Sequence, residues 1–285
     1  MISAEQSTNL TGEKVLNTEI QHHHTLYAES IFKIGNFSIT NSFLNTLLVI
    51  FIVIALSIFF KSKIKMIPGK FQNGVEMIFE LLLDVFDSVT GSRKRTLKFF
   101  PIILSFFVFI LLNNWLGLLP GVGSIGKVVL EHNEKIFIPF FRSGMADLNT
   151  TLALALIGVI ISHIFGIITI GTWQYLNKFI NIKALLEIPK NIIKDPTVLI
   201  INPIKVFVGL LEIIGELAKM ASLSFRLFGN IFAGEVLVAS MIAILAFGLP
   251  IPFMFLEILV GLVQALIFAM LILTYLTMMT SAEEH

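Results

Sequence analysis

The stretch SLSFRLFGNIFAGE, residues 222–235, places Arg226 inside an apolar run that reaches from Pro203 to Phe247. A guanidinium keeps its charge at any accessible pH, so burial cannot neutralise it as it can a lysine's ammonium. A charge at membrane depth costs about 2.5–3.5 kcal/mol on insertion scales, and it persists where it faces a protein interior or an aqueous cavity. An arginine near a helix end escapes this cost by snorkelling to the interface; Arg226 lies mid-run. Any fold available to this chain has to provide for that cation.

The rest of the sequence defines the solvent. Hydrophobic residues make up 56% of the chain and charged residues 14%, with a mean hydropathy of +0.90. Soluble chains are about a quarter charged, so this is an integral membrane protein. Twenty basic and nineteen acidic residues leave a net charge of +1, which argues against nucleic acid as a partner. The absence of cysteine excludes disulfides, a thiol nucleophile and thiolate metal sites. Residues 1–38 are polar, lack the apolar stretch of a signal peptide, and are expected to form a flexible or surface-lying arm. The triplet His22–His24 has no cysteine or acidic cluster beside it and reads as a solvated tail. No metal or cofactor site is expected.

Hydropathy predicts an all-α integral membrane protein with crossings over residues 43–60, 99–119, 149–170, 203–247 and 252–279, forming one membrane domain over 39–285. Glu76, Glu80, Asp84 and Asp87 recur on one stripe of a helix over about 71–91, with an apolar opposite face. That pattern suits an amphipathic helix lying in the interface. Trp115 fits an interfacial anchor, Asp147 or Asn149 can cap the third span, and Asn202-Pro203 reads as the start of the fourth. Lys61, Lys63, Lys65, Lys70, Arg93, Lys94, Arg95 and Lys98 follow the first span, and Lys178, Lys183, Lys190 and Lys194 follow the third. The intervening loop, 121–148, mixes three basic with three acidic residues. By the positive-inside rule the N-terminus is expected outside and the C-terminus in the cytoplasm. The fourth run, 45 residues if unbroken, would be about 67 Å long, so it either lies steeply tilted or breaks near Gly229-Asn230.

Helical arithmetic sorts the polar residues of the last two helices. Lys219, Ser222 and Asn230 fall within about 40° of Arg226, as does Glu212 further back, whereas Glu235 falls about 180° away and roughly 13 Å along. On the last helix Glu257 and Gln264 are seven apart and nearly in line. Carboxylates at such depth can take up and release protons, and Glu235 and Glu257 could share one across the hairpin. The alternative is that the polar groups only knit helices together by hydrogen bonds. Glu212, Glu216, Lys205 and Lys219 read as a solvated face near the inner surface.

SLSFRLFGNIFAGE, DLNTTLALAL, NNWLGLLP and the closing LVQALIFAMLILTYLTMMTSAEEH occur in order over residues 20–285. In this the chain resembles the a subunit of bacterial rotary ATP synthases. The resemblance implies a stator in the cell inner membrane, set against a rotating ring of c subunits and joined to peripheral-stalk b subunits. It implies that Arg226 faces the ring carboxylate, with Leu223 and Ile231 near that contact. Asn230 and Gln264 correspond to the polar residues beside the arginine, Glu235 and Glu257 to the outer-side proton path, and Glu212 and Ser222 to the inner-side path. The last-helix partner is histidine in some members and Glu257 here, which leaves open which glutamate takes up the proton. The resemblance also favours tilt over a break in the fourth run. The chain carries no Gly-rich phosphate loop with lysine, so ATP chemistry would reside in other subunits. Two other readings stay open: a stand-alone transporter or channel using Arg226 for an anionic substrate, and a non-transporting scaffold. Proton or sodium coupling, ring size and working direction are not written in this chain.

Overall fold

The computed structural model describes residues 20–21, 28–35, 37–119, 122–131, 134–180, 197–245 and 248–280. Seven helices are described: α1 (Asn41–Lys63), α2 (Lys70–Thr90), α3 (Arg93–Gly117), α4 (Leu148–Ile170), α5 (Thr172–Ile180), α6 (Val198–Ile244) and α7 (Pro250–Thr280). Among the described residues α1, α3, α4, α6 and α7 are long and apolar enough to cross a membrane. The chain is an all-α, multi-pass membrane protein. The expected solvated tail at His22–His24 falls outside the described residues, as do Lys183, Lys190 and Lys194.

Buried positions follow helical spacing. On α7 they are Ala265, Phe268, Ala269, Ile272, Leu273, Leu276 and Met279; on α3 they include Phe99, Ile103, Phe106 and Ile110. With Leu223, Leu227 and Ile231 of α6 and Phe86 of α2 these form one core. The buried face of α4 carries Thr151, Ala155, Gly158, Ser162 and Gly166, small residues that let helices approach closely where lipid gives apolar burial no advantage. At Gly158 a Cβ would stand 2.3 Å from Cδ1 of Ile272.

α6 runs unbroken for 47 residues, about 70 Å at the helical rise. That is more than twice the roughly 30 Å hydrocarbon core, so it fits a bilayer only obliquely. Asn202-Pro203 does not start this helix as expected. The apolar run Val198–Ile201 continues it towards the N-terminus and Asn202 is buried within it. Pro203 then sits inside the first turns, where it removes the bond its own N–H would have made to Leu199 and sets its ring against that carbonyl. α2 has the expected stripe: Glu76, Glu80 and Asp84 are exposed while Leu82, Leu83 and Phe86 are buried. Arg93, opening α3, bridges Asp84 at 3.0 Å and Asp87 at 2.9 Å.

Strands were not expected. β2 (Ser30–Ile34) pairs antiparallel with β3 (Phe37–Thr40) inside the polar arm, so that part of it is an ordered hairpin. β4 (Gly126–Glu131) and β5 (Glu134–Pro139) form a second hairpin, and β1 (Ile20–Gln21) adds parallel to β5. The two polar segments thus pair with themselves and each other at one end of the bundle. There Asp147 caps α4 by accepting from the Asn149 N–H at 3.1 Å and accepts from the Ser42 hydroxyl at 3.2 Å, tying α1 to α4.

Gly158→Ala should overpack the α4–α7 contact and destabilise by about 1–3 kcal/mol, read as a lower Tm of the detergent-solubilised protein. Ile272→Val, which removes Cδ1, should restore most of the loss in the double variant.

Candidate functional site

Burial on α6 alternates around the arginine with helical period. Leu223, Leu227 and Ile231 are buried, whereas Ser222, Arg226, Asn230 and Ala233 are exposed. Leu223 and Ile231, expected beside the partner contact, instead face the core, because their spacing matches the apolar stripe. Ser222, Arg226 and Asn230 share one outward stripe at four-residue spacing. No carboxylate among the described residues forms an ion pair with Arg226. The permanent cation is presented on an outer face midway along a membrane helix.

Behind this face lie the acids. Glu235 pairs with Arg142, whose Nε donates to both carboxylate oxygens at 3.0 Å. Only 5% of the Arg142 side chain is exposed, against 28% for Glu235, and its guanidinium lies 5.9 Å from the centre of the Phe232 ring. The two-oxygen contact ties the segment after β5 to α6 by a charge-assisted bond. Sequence reasoning counted Arg142 only as one of three basic residues in a loop. It stands between β5 and the turn Gly144–Ala146, 93 residues from its partner, and no local pattern marks it.

Glu257 of α7 is 4% exposed, and its Oε1 has no hydrogen-bond partner among the described residues. A Cβ on Gly234 would stand 1.9 Å from its Oε2, so the carboxyl occupies a notch that only glycine leaves open, beside Glu235. α3 holds this part of α7 in place. Asn114 Nδ2 donates to the Gly261 carbonyl and Trp115 Nε1 to that of Ile258, both at 3.1 Å. Trp115, expected as an interfacial anchor, is thus also a helix-to-helix bond. Glu235 and Glu257 are brought to one place, with Glu235 also paired to Arg142. Gln264 lies two turns further along α7, partly buried.

Towards the opposite end of α6, Glu212 is partly buried. Glu216 is not on a solvated face: its side chain is 9% exposed and Lys219 Nζ stands 2.6 Å from its Oε1. Acidic groups therefore lie along α6 on both sides of Arg226.

The family model described as ATP synthase A chain matches residues 43–277. The chain belongs to this family. It is 32% identical over 263 residues to ATP synthase subunit a of Syntrophobacter fumaroxidans, covering 92% of both chains. It is 34% identical over 244 residues to that of Desulfotalea psychrophila, covering 84% of this chain and 83% of the relative. The corresponding subunit of Moorella thermoacetica is 29% identical over 246 residues, or 86% of this chain and 93% of the relative. Membership makes the chain the proton-translocating stator subunit of an F-type ATP synthase membrane sector and sets aside the stand-alone transporter.

Within that activity the Gly234 notch gives a sharp expectation. Gly234→Ala should displace the Glu257 carboxyl and, where that carboxyl lies on the proton path, slow ATP-driven proton pumping by about tenfold or more. Gly74→Ala, on α2 with nothing within 4 Å of the new Cβ, should leave pumping unchanged.

Proposed function

We propose that the outward stripe of α6 is the surface on which the ring of c subunits turns, with Arg226 meeting each ring carboxylate in passing. The observation that carries this reading is the exposure of Arg226 on the outside of the bundle, in a helix that must cross lipid. A fixed cation there is costly against hydrocarbon and favourable against a carboxylate of a neighbouring subunit. A ring carboxylate beside Arg226 is held ionised, which forces proton release and blocks direct passage between the two sides.

Protons reach and leave the ring through two offset half-channels. On the outer side Glu257 carries the proton; its buried carboxyl keeps Oε1 without a hydrogen-bond partner among the described residues. Glu235, paired with Arg142, lies beside it on the same path. Asn230 and Gln264 line the approach to Arg226; Ser222 and Glu212 belong to the inner-side path. Each charge moved through 100 mV releases about 2.3 kcal/mol, the work available for rotation. The basic residues after α1 and α4 support an N-terminus outside and a C-terminus in the cytoplasm, with the peripheral-stalk b subunits as further partners in the bacterial inner membrane. ATP chemistry belongs to other subunits.

Arg226→Ala should abolish ATP-driven proton pumping in membrane vesicles while the chain inserts at normal levels; robust pumping would overturn the reading. Glu257→Gln should reduce pumping more than Glu235→Gln does, and the reverse order would assign proton uptake to Glu235.

A further inference from the structure

Ten residues before Arg226, about 15 Å along α6, a second cluster of titratable groups joins four helices. Glu216 of α6 has Lys219 Nζ at 2.6 Å from Oε1 and His163 Nε2 of α4 at 3.8 Å from Oε2. The other ring nitrogen of His163, Nδ1, hydrogen-bonds the hydroxyl of Tyr175 on α5, and that hydroxyl donates to Sδ of Met279 on α7 at 3.5 Å. Lys219 Nζ also lies 5.3 Å from the centre of the Tyr275 ring of α7. Exposure is graded, with 9% of the Glu216 side chain exposed and 27% of that of His163. A deep carboxylate thus backs onto a more open imidazole.

The hydrogen bond between Nδ1 of His163 and the Tyr175 hydroxyl holds the imidazole with Nε2 turned towards Glu216. Burial first, then the nearby carboxylates of Glu216 and Glu212, push the Tyr175 hydroxyl up to about 12, so it stays protonated and keeps that orientation.

Resting on the stator reading above, we infer that Glu216 and His163 form a two-step proton relay on the inner-side path, with Tyr175 and Lys219 as positioning residues. A proton arriving on Oε2 of Glu216 passes to Nε2 of His163 once a side-chain rotation closes the 3.8 Å gap to hydrogen-bond distance. One O–H bond breaks, one N–H bond forms, the carboxylate is restored and an imidazolium stands beside it. The imidazolium then gives its proton to water at the more open end. Lys219 holds Glu216 in place and, as a second cation, opposes lasting protonation of His163. Imidazole is the side chain whose unperturbed titration lies near neutrality, so the relay makes transport sensitive to pH on the inner side.

The test uses the complete ATP synthase in inside-out vesicles, where the medium bathes the cytoplasmic face and the relay runs in the uptake direction, from water through His163 to Glu216; pumping at each pH is divided by the ATP hydrolysis rate of the same vesicles made leaky with an uncoupler. Initial rates of ATP-driven proton pumping are compared from about pH 6 to 8. His163→Asn retains a partner for Tyr175, His163→Gln a group near Glu216, and neither titrates. Both should assemble, lose the pH inflection that the relay predicts for the parent enzyme, and pump at least about tenfold more slowly; Glu216→Gln should match them. An unchanged profile in any assembled His163 variant overturns the relay. Failure of His163→Asn, His163→Gln and Glu216→Gln all to assemble would make the cluster a structural staple, and also overturns it. Arg226→Ala runs alongside: pumping in that variant faults the stator reading itself, separately from the relay.

Discussion

An arginine that can neither lose its charge nor hide it sits halfway along a helix about 70 Å long. The remainder of the bundle is arranged around that constraint. Lipid offers a guanidinium nothing, yet the apolar stripe of α6, Leu223, Leu227 and Ile231, is buried in the core on a helix that packs against α4 and α7. The cation is left on the opposite face with Ser222 and Asn230. A helix so divided is an inner wall for its own chain and an outer wall for a partner, and the obliquity forced by its length spreads that wall along the membrane depth.

Electrostatic balance behind the wall is achieved by a different arginine. Arg142 comes from the polar segment at one end and binds Glu235, so the acid nearest Arg226 on α6 in the direction of that end is already paired. Glu257, seated against Gly234, keeps one carboxyl oxygen without a hydrogen-bond partner among the described residues. The ordered hairpins at this end have a function in this view: β4 and β5 position the segment from which Arg142 reaches into the bundle.

Local patterns made much of this legible. Helical periodicity exposed α2 and its acidic stripe, and runs of Leu, Ile and Phe marked the crossings. The spacing of Arg226, Glu235 and Glu257 pointed at the working end of the last two helices. What escaped depends on long-range contact. Arg142 finds Glu235 across 93 residues. Glu216 looked like a solvated residue because α4 and α5, which bury it together with His163 and Tyr175, are brought beside it only by the fold. Leu223 and Ile231 were placed near the partner by proximity in sequence, whereas the 100° step between neighbouring residues turns Leu223 and Ile231 to the core. The hairpins β2–β3 and β4–β5 are short and sit in charged segments, where strand alternation is weak.

The central claim is that the Arg226 face of α6 meets the c-ring, and cysteine crosslinking tests it most directly, since the chain has no cysteine of its own. Cysteines replacing Ser222 or Ala233, both exposed on that face, are paired with single cysteines in the membrane helices of a co-expressed c subunit; Leu223, buried in the core, is the control. The account predicts crosslinks from Ser222 and Ala233 that stop ATP-driven pumping, and none from Leu223. Well-inserted protein that crosslinks from Leu223, or from no exposed position on this face, would contradict it.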